Sequence, residues 1–211
     1  MSSEIEPGFG KKLVGLARGL TSPPPARQES NKRLAAPWLV VIDPQVIFAD
    51  PASPWGAPAF DEAMAVIEAL APRFGERVIV TRFVPGKVHV GSWRAYFKHW
   101  DFADLPATDP MYQLVPAAAH LSTLSSVDMP TFSKWGNALR GLIGPTPRLV
   151  LAGCATDCCV ISTALAAADS GATVRVISDA CAGSSDENHA AALKVMALYA
   201  PQIKVLTASQ L

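Results

Sequence analysis

From Trp38 onward, apolar runs of strand length alternate with stretches of helical spacing. Trp38–Ile42 is an unbroken apolar run ending at Asp43, and Arg77–Thr81 is another, ending at Arg82. Between them, apolar positions over 60–74 recur at three- and four-residue intervals, and Gly75 follows as a stop. Residues 126–130 form a weaker strand candidate, followed by a loop holding Lys134 and a short helix over 137–143. A strand over 148–152 leads into a helix over 157–170 with Gly171 behind it, then a strand over 173–178. Ser184-Ser-Asp-Glu187 has capping-box spacing and opens a helix to about Tyr199; residues 203–206 form the final strand. Strands joined by helix-length connections call for right-handed crossovers, and so for a mostly parallel sheet covered on both faces.

In such sheets, ligands bind outside the carboxyl ends of the strands, where strand order reverses. Asp43, Arg82, Lys134 and the turn leading to Cys159 all fall just past predicted strand ends. Cys159 is the most informative of them. The run Leu149-Val-Leu-Ala-Gly-Cys-Ala-Thr-Asp-Cys-Cys-Val160 passes from strand through a tight turn into an Ala-rich helix, with Cys159 in the first turn. Unpaired amides and the partial positive charge of a helix start favour thiolate over thiol, so this cysteine reads as a nucleophile. Asp43, among apolar neighbours, suits the base that takes the thiol proton. Lys134 suits a group that holds both partners charged, and the backbone amides of Ala155 and Cys159 suit an oxyanion. Taken singly, each has a plainer reading: a capping carboxylate, a solvated lysine, a structural thiol.

Composition narrows the partners. Of 211 residues half are hydrophobic, and 18 basic residues balance 18 acidic ones, so nothing favours nucleic acid or an anionic membrane. A small neutral or weakly charged molecule is the expected partner. The apolar stretch 149–168 is interrupted by Gly153, Thr156 and Asp157, which suits a buried strand and helix better than a membrane span. The first residues carry Glu4 and Glu6 without a long apolar run, so no secretory signal is expected. Cys154, Cys158, Cys159 and Cys181 do not form a disulfide framework, and a reducing cytoplasm is the expected setting. Cys154 and Cys181 read as small core hydrophobes; Cys158 is either incidental or half of a redox pair with Cys159. Residues 1–36 stand apart from the domain at 37–211: apolar and basic positions over 9–20 have helical spacing, followed by Ser22-Pro-Pro-Pro25. That segment is either an oligomer-docking arm or weak membrane-surface helix, or a mobile tail.

Val40-Val-Ile-Asp-Pro-Gln45 with Phe48, Val80-Thr-Arg82, Lys134, Gly153-Cys-Ala-Thr-Asp-Cys-Cys-Val160 with Thr163, and Ser178-Asp-Ala180 together resemble the isochorismatase-like cysteine hydrolases. The resemblance covers about residues 37–207. It implies a three-layer α/β/α fold with a six-stranded, mostly parallel sheet. It also implies an Asp43–Lys134–Cys159 triad, a non-proline cis peptide at Cys154–Ala155, and a homo-oligomer. A cysteine at this place argues for cleavage of a small carboxamide or N-carbamoyl compound rather than of isochorismate. Relatives resembling nicotinamidases carry an Asp-x-His and further histidines that hold a metal. This chain has only His89, His99, His120 and His189, so no metal or other cofactor is expected.

Candidate walls are Phe48 and Trp135, each near a presumed catalytic residue, and Trp93 with Tyr96 from the aromatic segment 91–100, whose rings alternatively lie on a helix face and pack under a loop or against a second subunit. Arg82 either clasps a substrate carboxylate or pairs with an acidic neighbour, and Gln45 either positions substrate or braces the first loop. The competing class is an inactive protein of this fold that binds or scaffolds a partner.

Overall fold

The computed structural model describes residues 36–144 and 147–211, so the arm expected over 1–36 lies almost wholly outside the described residues. Strand β1 (Trp38–Ile42) is buried along all but its first residue, as an unbroken apolar run requires of a central parallel strand. It pairs with β2 (Val78–Phe83) on one side and β4 (Arg148–Cys154) on the other, both parallel. β3 (Val127–Met129), β5 (Thr173–Ala182) and β6 (Ile203–Leu206) complete a six-stranded sheet of order β3-β2-β1-β4-β5-β6, every pairing parallel. Strand order therefore reverses between β1 and β4.

Alternate residues of β1 feed two cores, one on each face. Leu39 and Val41 join Phe60, Met64 and Ile67 of helix α2 (Phe60–Leu70). Val40 and Ile42 join α4 (Asn137–Ile143), α5 (Ile161–Asp169) and α6 (Asp186–Ala197). Here α5 presents the buried small residues Ala164, Ala167 and Ala168, which bring its axis close to the sheet. Two further helices, α1 (Val46–Ala49) and α3 (Trp93–His99), lie in the loops after β1 and β2.

Several boundaries moved. The helix expected over 60–74 ends at Leu70 and tightens into a 3₁₀ turn over Ala71–Phe74, because Pro72 cannot donate to the preceding turn. A π-helical turn, Thr156–Val160, precedes α5, placing Cys159 in that turn rather than in the α-helix. The cap of α6 is Ser185, which accepts from the Asn188 amide. Ser184 is instead engaged by Asp157 through its amide (2.8 Å) and hydroxyl (2.7 Å). Strand β5 runs four residues beyond its expected end, with an irregular register against β4 between Leu151 and Gly153. Gly153 has φ +111, and a Cβ there would sit 2.1 Å from the Ile42 carbonyl oxygen, so only glycine fits where β1 and β4 meet. No helix of the described residues is long and apolar enough to cross a membrane.

Candidate active site

Asp43 leaves β1 in the left-handed region, φ 48, which an aspartate adopts more readily than most residues. That turn carries its side chain into the sheet's rim, where it is fully buried. Thr81 of β2 anchors it twice, accepting from the Asp43 amide (3.2 Å) and donating to Oδ1 (2.6 Å). Lys134 is also fully buried, and its Nζ lies 3.0 Å from Asp43 Oδ2. That contact is an ion pair; Oδ2 accepts no well-aligned hydrogen bond. The ammonium also donates to the Thr131 carbonyl (2.8 Å) and stands 5.1 Å from the centre of the Phe83 ring.

Thr163 of α5 ties the lysine to the cysteine. Its hydroxyl accepts from the Lys134 amide (2.9 Å) and donates to the Cys159 carbonyl (2.7 Å). The three residues thus come together from the ends of β1, β3 and β4, next to the reversal of strand order. Cys154, beside them, points its thiol at the Asp43 carbonyl (3.2 Å). The Cys154–Ala155 peptide is cis.

The state of the Cys159 thiol differs from the expectation. Burial, and then the Asp43 carboxylate beside it, push its pKa well above the usual thiol range, with Lys134 opposing. Desolvation outweighs the helix-start field on which the sequence argument rested, and the resting group is a neutral thiol. Cys158 is half-buried and raised to about 11 by burial and Asp157; Cys181 is raised to about 12, chiefly by burial. All four cysteines are free.

Cys159 and Ala155 form the floor of a cavity of about 350 Å³. Within the turn, the amides of Cys158 and Val160 both go to the Ala155 carbonyl (3.1 Å each). Aromatic rings wall the cavity: Phe48, Trp55, Phe83, Tyr96, Trp100 and Phe132. Pro54, Asp157, Cys158 and Ser184 complete the lining.

Of the residues read as substrate contacts or walls, Phe48 and Tyr96 line this cavity. Gln45 braces the loop: its side chain donates to the carbonyls of Phe83 (3.0 Å) and Tyr112 (2.8 Å) and accepts from the Phe83 amide (2.8 Å). Arg82 is forked onto Asp128, its register partner on β3, with Nε 2.9 Å from Oδ1. Trp93 stands one layer back, against Tyr96 and Phe132. Trp135 packs against the core that includes Cys159, 6.0 Å from the Arg140 guanidinium, and does not line the cavity.

A family model for the isochorismatase domain matches residues 37–210. The chain belongs to the isochorismatase family. Solved structures carry the same fold within this family. An isochorismatase-like hydrolase from Alkaliphilus metalliredigens has a TM-score of 0.66 at 19% identity, covering 84% of this chain and 96% of that one. A cysteine hydrolase from Pseudomonas syringae has a TM-score of 0.67 at 20% identity, covering 82% and 88%. A pyrazinamidase of Pyrococcus horikoshii in complex with zinc has a TM-score of 0.58 at 25% identity, covering 80% and 97%. Comparison with curated proteins gives no match.

The residues of this family member do not suit a metal of that kind. Among the described residues no three His, Cys, Asp or Glu side chains converge to hold an ion. His89 is paired with Asp104 (2.7 Å) and stacked on Phe97, while His189 bonds Thr156 through Nδ1 (2.8 Å).

Sequence reasoning missed most of the walls. Ser184 and Asp157 follow β5 and β4, so the strand-end rule that found Asp43 reaches them too. Phe132 is two residues before Lys134, one further than Trp135, but it lines the cavity. Trp55 and Trp100 come from long loops and left no signal beyond being aromatic.

Proposed function

We infer that this isochorismatase-family hydrolase cleaves a small carboxamide through a thioester on Cys159. The observation that carries the reading is the buried Asp43–Lys134 ion pair set beside Cys159, which lines an aromatic cavity. Asp43 takes the Cys159 proton as the sulfur attacks the carbonyl carbon, so ionisation of the thiol and formation of the C–S bond are coupled. The oxygen's developing charge is met by the amides of Ala155 and Cys159. Asp43 returns the proton to the nitrogen as the C–N bond breaks and ammonia or an amine leaves. Water then attacks the thioester, giving its proton to Asp43, and the carboxylic acid departs as the thiol is restored. Lys134 keeps the carboxyl group in place and favours its charged form before each proton is taken and after it is given up.

Ammonia release across a panel of small aromatic and aliphatic amides tests this reading, with wild type beside Cys159→Ala. Turnover by the wild type alone, with an acyl mass adduct on Cys159 in a single-turnover sample, is the expected result. Turnover that survives Cys159→Ala excludes the mechanism. A panel with no turnover at all favours the binding or scaffold reading.

A further inference from the structure

The electrostatics of the cavity narrow its ligand further than its volume does. The wall presents six aromatic rings, and four of them, Phe48, Phe83, Tyr96 and Trp100, stand within 6.2 Å of the fifth, Trp55, centroid to centroid, with Phe132 the sixth. Ring faces carry negative potential and attract cations. Asp157 is the one carboxylate among the described lining residues, and no lysine, arginine or histidine accompanies it there. Its two oxygens hold the amide and hydroxyl of Ser184, which fixes the carboxylate at the cavity edge and leaves acceptor capacity on both oxygens. The nearest cation, Lys134, is buried and balanced by Asp43. Arg82, the residue best suited to a substrate carboxylate, is committed to Asp128. A ligand entering the cavity therefore meets π faces and one fixed negative charge, with nothing to compensate an anion of its own.

We propose that this cavity selects amides whose acyl portion carries an apolar body and a positive charge, and rejects those carrying a carboxylate, with Asp157 as the specificity-determining residue. The proposal rests on the hydrolase reading for what happens to the ligand, but the charge preference concerns binding alone. N-carbamoyl amino acids, which bear a carboxylate, fall on the rejected side.

Binding to full-length Cys159→Ala protein separates the two questions. Dissociation constants would be measured by calorimetry for benzyltrimethylammonium, benzyl alcohol and benzoate, at low and moderate salt. The cation is expected to bind at least about tenfold more tightly than benzoate, with the alcohol between them. Asp157→Asn, which keeps an oxygen for Ser184, should lower affinity for the cation about three- to tenfold and leave the alcohol within about twofold. Trp55→Leu should likewise weaken the cation more than the alcohol. Benzoate binding as tightly as the cation, a preference untouched by Asp157→Asn, or no binding of any of the three overturns the proposal. A cation preference in a protein whose wild type hydrolyses no amide leaves the proposal standing and removes the hydrolase reading instead.

Discussion

Replacing Lys134 by methionine removes a charge from a place water does not reach, and the cost can be worked from the geometry. Both Lys134 and Asp43 are fully buried, and Nζ lies 3.0 Å from Oδ2. At an effective dielectric of about 20, unit charges at that separation attract by about 5.5 kcal/mol. Some of this is offset because the variant no longer desolvates an ammonium, and the net loss for breaking one side of a buried pair is about 3–5 kcal/mol. For a domain of this size, 1 kcal/mol moves Tm by about 2–4 °C, so Lys134→Met should lose about 6–20 °C. Asp43→Asn should lose a comparable amount, since it leaves the ammonium buried without its counter-charge. The double variant Asp43→Asn/Lys134→Met buries neither charge and keeps an acceptor for the Thr81 hydroxyl, which donates to Oδ1 at 2.6 Å. It should regain most of the stability, with a coupling energy of at least about 2 kcal/mol. Circular dichroism melts of the four proteins read this directly. A Tm loss under about 3 °C for Lys134→Met, or a double variant whose loss equals the sum of the singles, refutes the buried pair. On the proposed mechanism all three variants are inactive, so the double variant uncouples stability from turnover.

Three more outcomes follow from the same contacts. The native chain holds protons on Cys158 and Cys181 up to about pH 11 and 12, whereas unfolded thiols lose theirs near pH 9. Their stabilisation is complete below the unfolded pKa and declines as pH rises through 9 toward those raised values, so urea midpoints should fall between pH 8 and 10.5, less steeply in Cys181→Ala. Gln45→Ala removes three buried bonds to the backbone of Phe83 and Tyr112, leaving the Tyr112 carbonyl only its longer contact with Arg82 (3.4 Å), and should cost about 2–4 kcal/mol in urea unfolding. A raised KM with an unchanged midpoint would return Gln45 to a substrate role. Gly153→Ala sets a Cβ 2.1 Å from the Ile42 carbonyl oxygen at φ +111, and should cost more than about 4 kcal/mol or give no soluble folded protein.

The parts of this fold that the sequence made legible are those set by local chemistry. The bounds of β1, α4 and β6 follow from apolar runs with clear edges, and Gly75 and Gly171 sit where the chain takes positive φ after helical segments. The strand-end rule brought Asp43, Lys134 and the Cys159 turn to one rim because each strand's carboxyl end faces the same way in a parallel sheet. What stayed hidden depends on which strands lie side by side and which way a side chain turns. Arg82 meets Asp128 only because β2 and β3 are neighbours in that register. Trp135 and Phe132 flank the same lysine and pack against the same core, yet only Phe132 also lines the cavity. Helix α3 was legible only as one of two alternatives for the aromatic segment 91–100, and in it Trp93, Tyr96 and Phe97 pack against one another.

The thiol is where local and global reasoning disagree, and the disagreement bears on how the site would work. A cysteine at a helix start is favoured as thiolate by amides and dipole, a contribution confined to about one turn and worth about 1 kcal/mol near solvent. At Cys159 the turn is π-helical, the residue is 97% covered, and a carboxylate stands next to it. Burial and like charge both act against a second anion, and one lysine already neutralised by Asp43 does not reverse them. A standing thiolate beside the Asp43 carboxylate would place two negative charges on one ammonium. Moving the proton from sulfur to Asp43 during attack leaves a single negative charge in the site at every stage, carried in turn by carboxylate, sulfur and substrate oxygen. The pair of Asp43 and Lys134 is thus better understood as a fixed proton acceptor than as a device for keeping sulfur ionised. A resting enzyme of this kind should resist iodoacetamide at Cys159 at neutral pH, as read by mass spectrometry. Rapid alkylation at pH 7, at the rate of a low-pKa thiolate, would overturn the coupled proton transfer.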